Sequence, residues 1–305
     1  MLSFLLTVLG LAVLTQVLHK FYLGIYEIYF MRGFNLVERY GKGSTVVITG
    51  GSDGIGLAYA HKFASQGFNL VLISKTLEKL QKRAEQILDQ YPNIQIQTIA
   101  TDLSKNTSTY YNELFDQITL PNVSVLVNCA GMQVGTLISE PLERLRDFML
   151  VDNVAALMLT RNFIFKYKPE SGLRKAIINM SAHCQELEVS GKSIYNSVKR
   201  CVYMFTAGEA ENYKELGYDM LVVQPVSVST GMTGYRANDF LTETPEKVVE
   251  SSLKALGNVD ETYGTVKHVR YGILSEQVRY FFGMGFAKFW NGFVDYKAKS
   301  NEAVF

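Results

Sequence analysis

Cysteine is scarce in this chain, and neither sign of charge is in excess. Among its 305 residues there are three cysteines, Cys129, Cys184 and Cys201. Their number is odd and their spacing matches no zinc-binding or CxxC pattern, so we expect reduced, mostly buried thiols and no metal site. The 30 basic and 29 acidic side chains give a formal net charge of +1, which argues against nucleic acid as a partner.

The first 18 residues lack any charged side chain. A helix of this length reaches roughly 27 Å, close to the hydrocarbon thickness of a bilayer. A second apolar stretch, 21–31, follows and is interrupted by Glu27. A cleaved signal peptide is the alternative, but no basic residue precedes the first run and no clear small-residue cleavage site follows it. We predict an uncleaved membrane anchor over 1–31 and a basic linker over 32–43.

Positive charge lies on one side of this anchor. No side-chain cation precedes the first apolar run, 1–18, and four follow that run: Lys20, Arg32, Arg39 and Lys42. The positive-inside tendency therefore places the large domain in the cytosol. Of three Asn-x-Ser/Thr sequons, the one at Asn179 lies just ahead of Ser181, which is taken below as a candidate site residue, and a glycan there would obstruct that site. A cytosolic domain avoids this conflict, because sequons are glycosylated only in the secretory lumen.

From Ser44 onward, short apolar runs alternate with segments of helical periodicity. Runs rich in Val and Ile predict strands at 45–49, 69–73, 94–100, 123–127, 176–179 and 220–223. Helical periodicity marks segments such as 57–66 and 76–90. This alternation predicts an α/β fold over 44–274, a doubly wound Rossmann-type parallel sheet whose ligand crevice lies at the carboxyl ends of the strands.

Three glycines follow the first predicted strand with the spacing GxxxGxG: Gly50, Gly54 and Gly56. Glycine is needed where the backbone turns tightly and lets a pyrophosphate approach a helix N-terminus. A purely structural turn is the alternative, but the position between a strand and a helix favours dinucleotide binding. The second strand then ends at Ser74 and Lys75, with no carboxylate to bind the 2′-hydroxyl of NAD, which favours NADPH over NADH.

Tyr195 and Lys199 are four residues apart and share a helix face. A free phenol has a pKa of about 10. A nearby ammonium favours the phenolate and makes the phenol a usable acid for carbonyl reduction. A YxxxK pair is common by chance, but the glycine turn upstream makes a chance match improbable.

Together these motifs, with Asn128-Cys129-Ala130-Gly131 after the fourth strand, resemble the short-chain dehydrogenase/reductase family. The stretches 50–56 and 71–75 are similar to its endoplasmic-reticulum branch of 17β-hydroxysteroid dehydrogenases and very-long-chain 3-oxoacyl-CoA reductases. That resemblance implies an N-terminal anchor, NADPH as cofactor, an endoplasmic-reticulum membrane location, and a keto-steroid or long-chain 3-oxoacyl thioester as substrate. It leaves the direction of reaction open, and a homodimer is a further possibility.

The resemblance also implies roles for individual residues. Asn153 matches the helix asparagine that positions a proton-relay water, and Asp102 matches the acidic residue near the adenine. Lys199 would hold the nicotinamide ribose as well as act on Tyr195. The expected cofactor contacts are Gly50, Ser52, Asp53, Gly54, Ile55, Gly56, Ser74, Lys75, Asp102, Asn128, Ala130, Gly131, Tyr195, Lys199, Pro225, Val228 and Thr230.

One departure from the family pattern concerns the serine that orients the substrate carbonyl. It usually stands 13 residues before the tyrosine, where this chain has Ala182. Ser181 lies one residue earlier and His183 one later, and adjacent strand residues point to opposite faces. We take Ser181 as the candidate donor. The alternatives are a weaker enzyme and a catalytically silent protein that binds a cofactor or partner at the membrane.

The C-terminal extension, 275–305, is rich in aromatic residues between 280 and 293. Such a segment can cover the substrate cleft, form a dimer face, lie on the membrane surface or pack on its own domain. The sequence by itself does not choose among these four arrangements.

Overall fold

The computed structural model describes residues 1–105, 109–170, 172–183, 192–235 and 241–277. Its helices are α1 (Leu2–Ile25), α2 (Leu36–Tyr40), α3 (Gly54–Ala64), α4 (Leu77–Gln90), α5 (Tyr110–Asp116), α6 (Leu142–Met149), α7 (Ala155–Lys166), α8 (Ser193–Lys214), α9 (Pro245–Ala255) and α10 over 266–277. Its strands are β1 (Thr45–Thr49), β2 (Asn69–Ser74), β3 (Ile96–Ala100), β4 (Val123–Asn128), β5 (Lys175–Met180), β6 (Tyr218–Val223), β7 (Ser227–Val228), β8 (Thr242–Glu243) and β9 (Glu261–Thr262).

Seven strands form one parallel sheet in the order β3-β2-β1-β4-β5-β6-β9. Val47 at its centre pairs with Val71 of β2 and with Leu126 of β4. The central strands are apolar on both faces because helices cover both. The prediction of a doubly wound Rossmann-type sheet is confirmed.

Alternate residues of each strand belong to two separate cores. Val46 and Ile48 pack with α3, α4 and α9 on one face of the sheet. Val47 packs with α5, α7 and α8 on the other. The chain reverses its direction of winding at β1, which lies between β2 and β4. A crevice is therefore expected beyond the carboxyl ends of β1 and β4.

The segment ahead of β1 is partly packed on this domain. Leu36 and Tyr40 of α2 are buried, and Tyr40 donates a hydrogen bond to Asp219 of β6. Arg39 forms a two-oxygen ion pair with the same carboxylate, with N–O distances of 2.6 and 2.9 Å. Residues 32–43, predicted as a linker, thus include a helix that is fixed to β6.

Helix α1 carries many exposed apolar side chains, including Phe4, Leu11 and Leu18. Its C-terminal end meets α10, because a Cβ added at Gly24 would lie 2.1 Å from Ile273 Cδ1. In the described part of the chain, one helical stretch, Leu142–Lys166, is long and apolar enough to cross a membrane, and half of it is buried in the domain. A shorter apolar helix spans Gly10–Ile25. The aromatic stretch 280–293 lies outside the described residues.

Candidate active site

The glycine turn packs its backbone too tightly for any side chain. A Cβ at Gly56 would lie 2.3 Å from the carbonyl oxygen of Gly50. Gly50 itself has φ +69° and would meet the backbone of Ala130 at 3.0 Å. The first turn of α3 is thereby held against the ends of β1 and β4, with its N-terminal N–H groups at the mouth of the crevice.

The turn opens onto a cleft of about 500 Å³ at the carboxyl ends of the strands. Of the residues predicted to contact a cofactor, those that line this cleft are Gly50, Ser52, Asp53, Gly54, Ile55, Gly56, Ser74, Lys75, Asp102, Ala130, Gly131 and Thr230. Residues at the ends of β1, β2 and β4 and in the loop after β7 therefore meet in one place, as the topology requires.

One end of the cleft is polar and carries a charge pair. The hydroxyl groups of Ser52 and Ser74 are 2.9 Å apart, and Lys75 Nζ lies 2.8 Å from Asp102 Oδ2. Burial alone would raise the pKa of Asp102, but hydrogen bonds from Lys75 and Ser104 lower it to about 2. Lys75 and Asp102, both predicted to contact the adenosine half of a cofactor, thus form an ion pair with each other.

The loop after β7 closes over the glycine turn. Thr230 begins a 3₁₀ turn, Gly231–Thr233, and its methyl group would lie 3.0 Å from a Cβ at Gly54. Further along, the Tyr235 hydroxyl donates to Asp53, with an O–O distance of 3.1 Å to Oδ2. Asp53 also accepts from the N–H of Gly54 at 2.7 Å, which fixes the start of α3.

Tyr195 and Lys199 lie on one face of α8, as predicted from their spacing. The Tyr195 ring stacks on Phe148 with the ring centres 5.9 Å apart. Lys199 is buried, and its Nζ lies 5.7 Å from the centre of the Tyr195 ring. The same Nζ donates to the carbonyl of Met180 at 3.3 Å.

A carboxylate that the sequence analysis did not single out completes this group. Asp152 lies in a π-helical turn, Leu150–Val154, that joins α6 to α7. Its Oδ1 is 2.9 Å from Lys199 Nζ, and its Oδ2 accepts the N–H of Met132 at 2.8 Å. Burial would lower the pKa of Lys199, but Asp152 raises it above its usual value. Burial also raises the pKa of Asp152, and Lys199 partly offsets that effect.

Ser181, the candidate carbonyl donor, lies just after β5 and is buried. Its hydroxyl donates to the carbonyl oxygen of Lys199 at 2.7 Å. The single hydroxyl proton is therefore directed at the backbone of α8. Ala182 is buried, and the His183 ring is 2.8 Å from the Ser275 hydroxyl.

Asn128 lies beneath the cleft, at the end of β4. Its side-chain amide donates to Asn179 Oδ1 at 2.8 Å and to Thr160 Oγ1 at 3.2 Å. Asn179 is fully buried and also donates to Thr206. In the folded domain the sequon at Asn179 is therefore inaccessible to a glycan, and the paired amides tie β4 and β5 to α7 and α8.

The remaining predicted residues, Asn153, Pro225 and Val228, are not among the residues that line the cleft. Asn153 is half-buried beside Asp152 in the π-helical turn. Pro225 is buried and its carbonyl accepts the N–H of His183, and Val228 is buried in β7. Burial raises the pKa of the Cys129 thiol to about 12. The described residues contain no cluster of three or more potential metal ligands, and Cys184 lies outside them.

The sequence offered one signal for Asp152. It is an acidic residue in the otherwise mainly apolar stretch 148–159, and a carboxylate in such a place is almost always paired. The sequence analysis assigned the proton-relay role to its neighbour Asn153, because that residue matched a family position. The partner of the carboxylate is 47 residues away along the chain, between Asp152 and Lys199, so only the fold identifies the pair.

Comparison with known proteins gives a consistent set of relatives. A family model described as short chain dehydrogenase matches residues 44–240. The chain is 31% identical over 242 residues to a 17-beta-hydroxysteroid dehydrogenase type 3 of Danio rerio, covering 77% of each chain. It is 29% identical over 232 residues to a very-long-chain 3-oxoacyl-CoA reductase of Caenorhabditis briggsae, covering 74% of this chain and 72% of the relative.

Solved structures show the same fold. A 7beta-hydroxysteroid dehydrogenase structure aligns with a TM-score of 0.70 at 20% identity, covering 85% of this chain and 100% of the other. A short-chain dehydrogenase from Sphingobium yanoikuyae in complex with NADPH aligns with a TM-score of 0.60 at 24% identity, covering 70% and 84%.

Proposed function

Because this chain belongs to the short-chain dehydrogenase family, we propose that it catalyses the NADPH-dependent reduction of a ketone on a hydrophobic lipid substrate, or the reverse alcohol oxidation. The family makes it an oxidoreductase of CH–OH groups that uses a nicotinamide cofactor. The substrate class follows from the named relatives, which are a steroid dehydrogenase and a long-chain 3-oxoacyl-CoA reductase.

The cleft fits a dinucleotide. Its glycine turn has no room for a Cβ at Gly56, and it brings the start of α3 to the cleft, where backbone N–H groups would face a pyrophosphate. The residues that would hold the cofactor are the turn itself, Ser74, Lys75 and Asp102 at the adenosine end, and Ala130, Gly131 and Thr230 toward the nicotinamide. When bound, the reduced nicotinamide supplies hydride to the carbonyl carbon.

Tyr195 is the proposed proton donor to the carbonyl oxygen. The observation that carries this assignment is the Lys199 ammonium, buried 5.7 Å from the centre of the Tyr195 ring. A buried cation at this distance favours the phenolate and so makes the phenol a stronger acid. Stacking on Phe148 fixes the plane of the ring, and Asn153 in the neighbouring turn is proposed to support the path of the proton.

Ser181 is proposed to support the site indirectly, because its hydroxyl donates to the backbone of α8 at Lys199. Donation to the substrate carbonyl would require its hydroxyl to give up the 2.7 Å bond to the Lys199 carbonyl. In the present arrangement, Tyr195 is then the donor left for the oxyanion, and the loss of one such donor costs about 10²–10³ in rate. We therefore expect a slow reductase.

Preference for NADPH rests on charge at the end of β2. Lys75 is exposed and follows Ser74, and no carboxylate from β2 faces the position of a 2′-phosphate. Asp102 does pair with Lys75, so part of the lysine charge is already compensated. We therefore expect a modest preference for NADPH over NADH.

The assay that tests this function measures NADPH oxidation with a panel of keto-steroids and 3-oxoacyl thioesters. Tyr195→Phe keeps the ring but removes the proton, and it should lower the rate by about 10²–10⁴. Tyr203→Phe, the same change two turns along α8, is the matched control and should leave the rate near that of the wild type. Equal activity of Tyr195→Phe and wild type on every active substrate would refute the role of the phenol.

A catalytically silent protein is the second candidate, and Ala182 is the residue that favours it. Such a protein would bind NADPH yet reduce no substrate in the panel. Wild type and Tyr195→Phe would then have the same NADPH affinity and the same lack of turnover. Measuring cofactor binding beside turnover on the same samples separates the two functions.

Residues 1–31 are proposed to anchor the protein in the endoplasmic reticulum membrane, with the catalytic domain in the cytosol. The exposed apolar surface of α1 supports an anchor, and the cations that follow it support the orientation. Protease treatment of sealed microsomes should digest the domain, and glycosidase should leave its mass unchanged. A protected, glycosylated domain would refute the orientation.

A further inference from the structure

The ion pair between Asp152 and Lys199 is the most deeply buried among the described residues. The two side chains are 0% and 6% exposed, and their charged atoms are 2.9 Å apart. Asp152 lies in the π-helical turn at 150–154 and is the buried residue of that turn. Such turns are frequent at functional sites.

Asp152 also joins Lys199 to the wall of the cleft. Its second oxygen accepts the N–H of Met132, and a Cβ added at Gly131 would lie 2.9 Å from Oδ1. Gly131 and Met132 both line the cleft. The carboxylate therefore connects three elements, which are the loop after β4, the π-helical turn and α8.

Lys199 needs an anion to stay protonated at this depth. A buried lysine without a partner can have its pKa lowered to about 5–6. The titratable and polar groups that face Lys199 in the described structure are Asp152, Tyr195, the Cys129 thiol and the Met180 carbonyl. Burial raises the pKa of Cys129 to about 12, so that thiol is neutral and Asp152 is the anion of the group.

We propose that Asp152 is a positioning residue that fixes the Lys199 ammonium beside Tyr195 and, by its own charge, limits how strongly that ammonium acts on the phenol. The catalytic reading of this pair rests on the function proposed above. A neutral residue at 152 would leave the cation uncompensated, and the phenolate of Tyr195 would then form at lower pH because it would become the counter-ion of Lys199.

Ultraviolet titration of tyrosinate tests this inference without any substrate. Subtracting the titration of Tyr195→Phe from that of the wild type isolates Tyr195 among the 18 tyrosines. The same difference is then measured in the Asp152→Asn background. We expect the midpoint of Tyr195 to fall by about one pH unit in that background. An unchanged or higher midpoint would overturn the proposal.

Asp147→Asn is the matched control. It removes the same charge five residues earlier on α6, where Asp147 also lines the cleft but pairs with the exposed Arg146. It should leave the Tyr195 midpoint where it is in the wild type. A shift equal to that of Asp152→Asn would show a general field effect and count against a specific pair.

A stability cycle covers the case in which Asp152→Asn does not fold. Lys199→Met leaves the carboxylate buried without its partner, and Asp152→Asn combined with Lys199→Met removes both charges. Lys199→Met should lower the midpoint of unfolding, and the double variant should reverse at least half of that decrease. Additive losses would refute the coupling.

The two proposals fail separately. If the wild type reduces no carbonyl but the Tyr195 midpoint still shifts in Asp152→Asn, the enzymatic function fails and the electrostatic role of Asp152 stands. If ketones are reduced and the midpoint does not shift, only the role of Asp152 fails. In an active enzyme, the alkaline limb of the reduction rate should move to lower pH with the same variant, because reduction requires the protonated phenol.

Discussion

Replacing Gly56 by alanine adds one methyl group where the backbone leaves no space. The new Cβ would lie 2.3 Å from Gly50 O and 2.8 Å from Gly50 C, whereas ordinary contact begins near 3.4 Å. Gly50 is held in turn by its N–H bond to the carbonyl of Ile73 at 2.8 Å. The overlap exceeds 1 Å and involves only backbone, so α3 must move relative to the turn.

The expected cost has two parts. Overpacking of this kind destabilises a fold by about 1–3 kcal/mol. Alanine in a helix returns roughly 0.5–1 kcal/mol relative to glycine, so the net loss in the free energy of unfolding should be about 0–2.5 kcal/mol. Displacing one N–H that binds pyrophosphate should weaken NADPH binding by about 10- to 100-fold, or about 1.5–3 kcal/mol.

Denaturant unfolding and NADPH fluorescence titration measure the two quantities. Gly208→Ala is the matched control, because Gly208 is exposed in α8 and an added Cβ has nothing within 4 Å. It should stabilise the protein by about 0.5–1 kcal/mol and leave NADPH binding unchanged. If Gly56→Ala resembles Gly208→Ala in both measurements, the close approach of the turn and the cofactor site built on it are refuted.

Three further changes test other parts of the structure. Lys75→Asp should abolish or reverse the preference for NADPH over NADH in binding titrations, because it brings a negative charge toward the 2′-phosphate; an unchanged ratio would contradict the assignment. Ala182→Ser should raise the rate of ketone reduction by about two orders of magnitude if a second carbonyl donor is missing, and no gain on any active substrate would argue against that. Asp219→Ala should lower the free energy of unfolding by about 3–5 kcal/mol, because it strands Arg39 and the buried hydroxyl of Tyr40. The exposed Asp116→Ala should cost about 0–1 kcal/mol in the same measurement.

Local sequence pattern was sufficient for the fold and for most of the cleft. Continuous apolar strands between amphipathic helices admit few arrangements other than a parallel sheet covered on both faces, and the glycine turn then has one place to lie. Tyr195 and Lys199 were correctly predicted to share a helix face, because residues four apart lie on the same side of an α-helix. The short strand β9 has only two residues in the sheet, too few for a periodic signal, and it was not predicted.

The sequence by itself determined the sheet, the glycine turn and the shared face of Tyr195 and Lys199, since each depends on residues that are close along the chain. Only the tertiary structure decided the partners of buried polar groups. The hydroxyl of Ser181 is bonded to the Lys199 carbonyl, Lys75 is paired with Asp102, and Asp152 reaches Lys199 across 47 residues. A buried polar group must find a partner, but which partner it finds depends on which elements the fold brings together, and local periodicity carries no information about that.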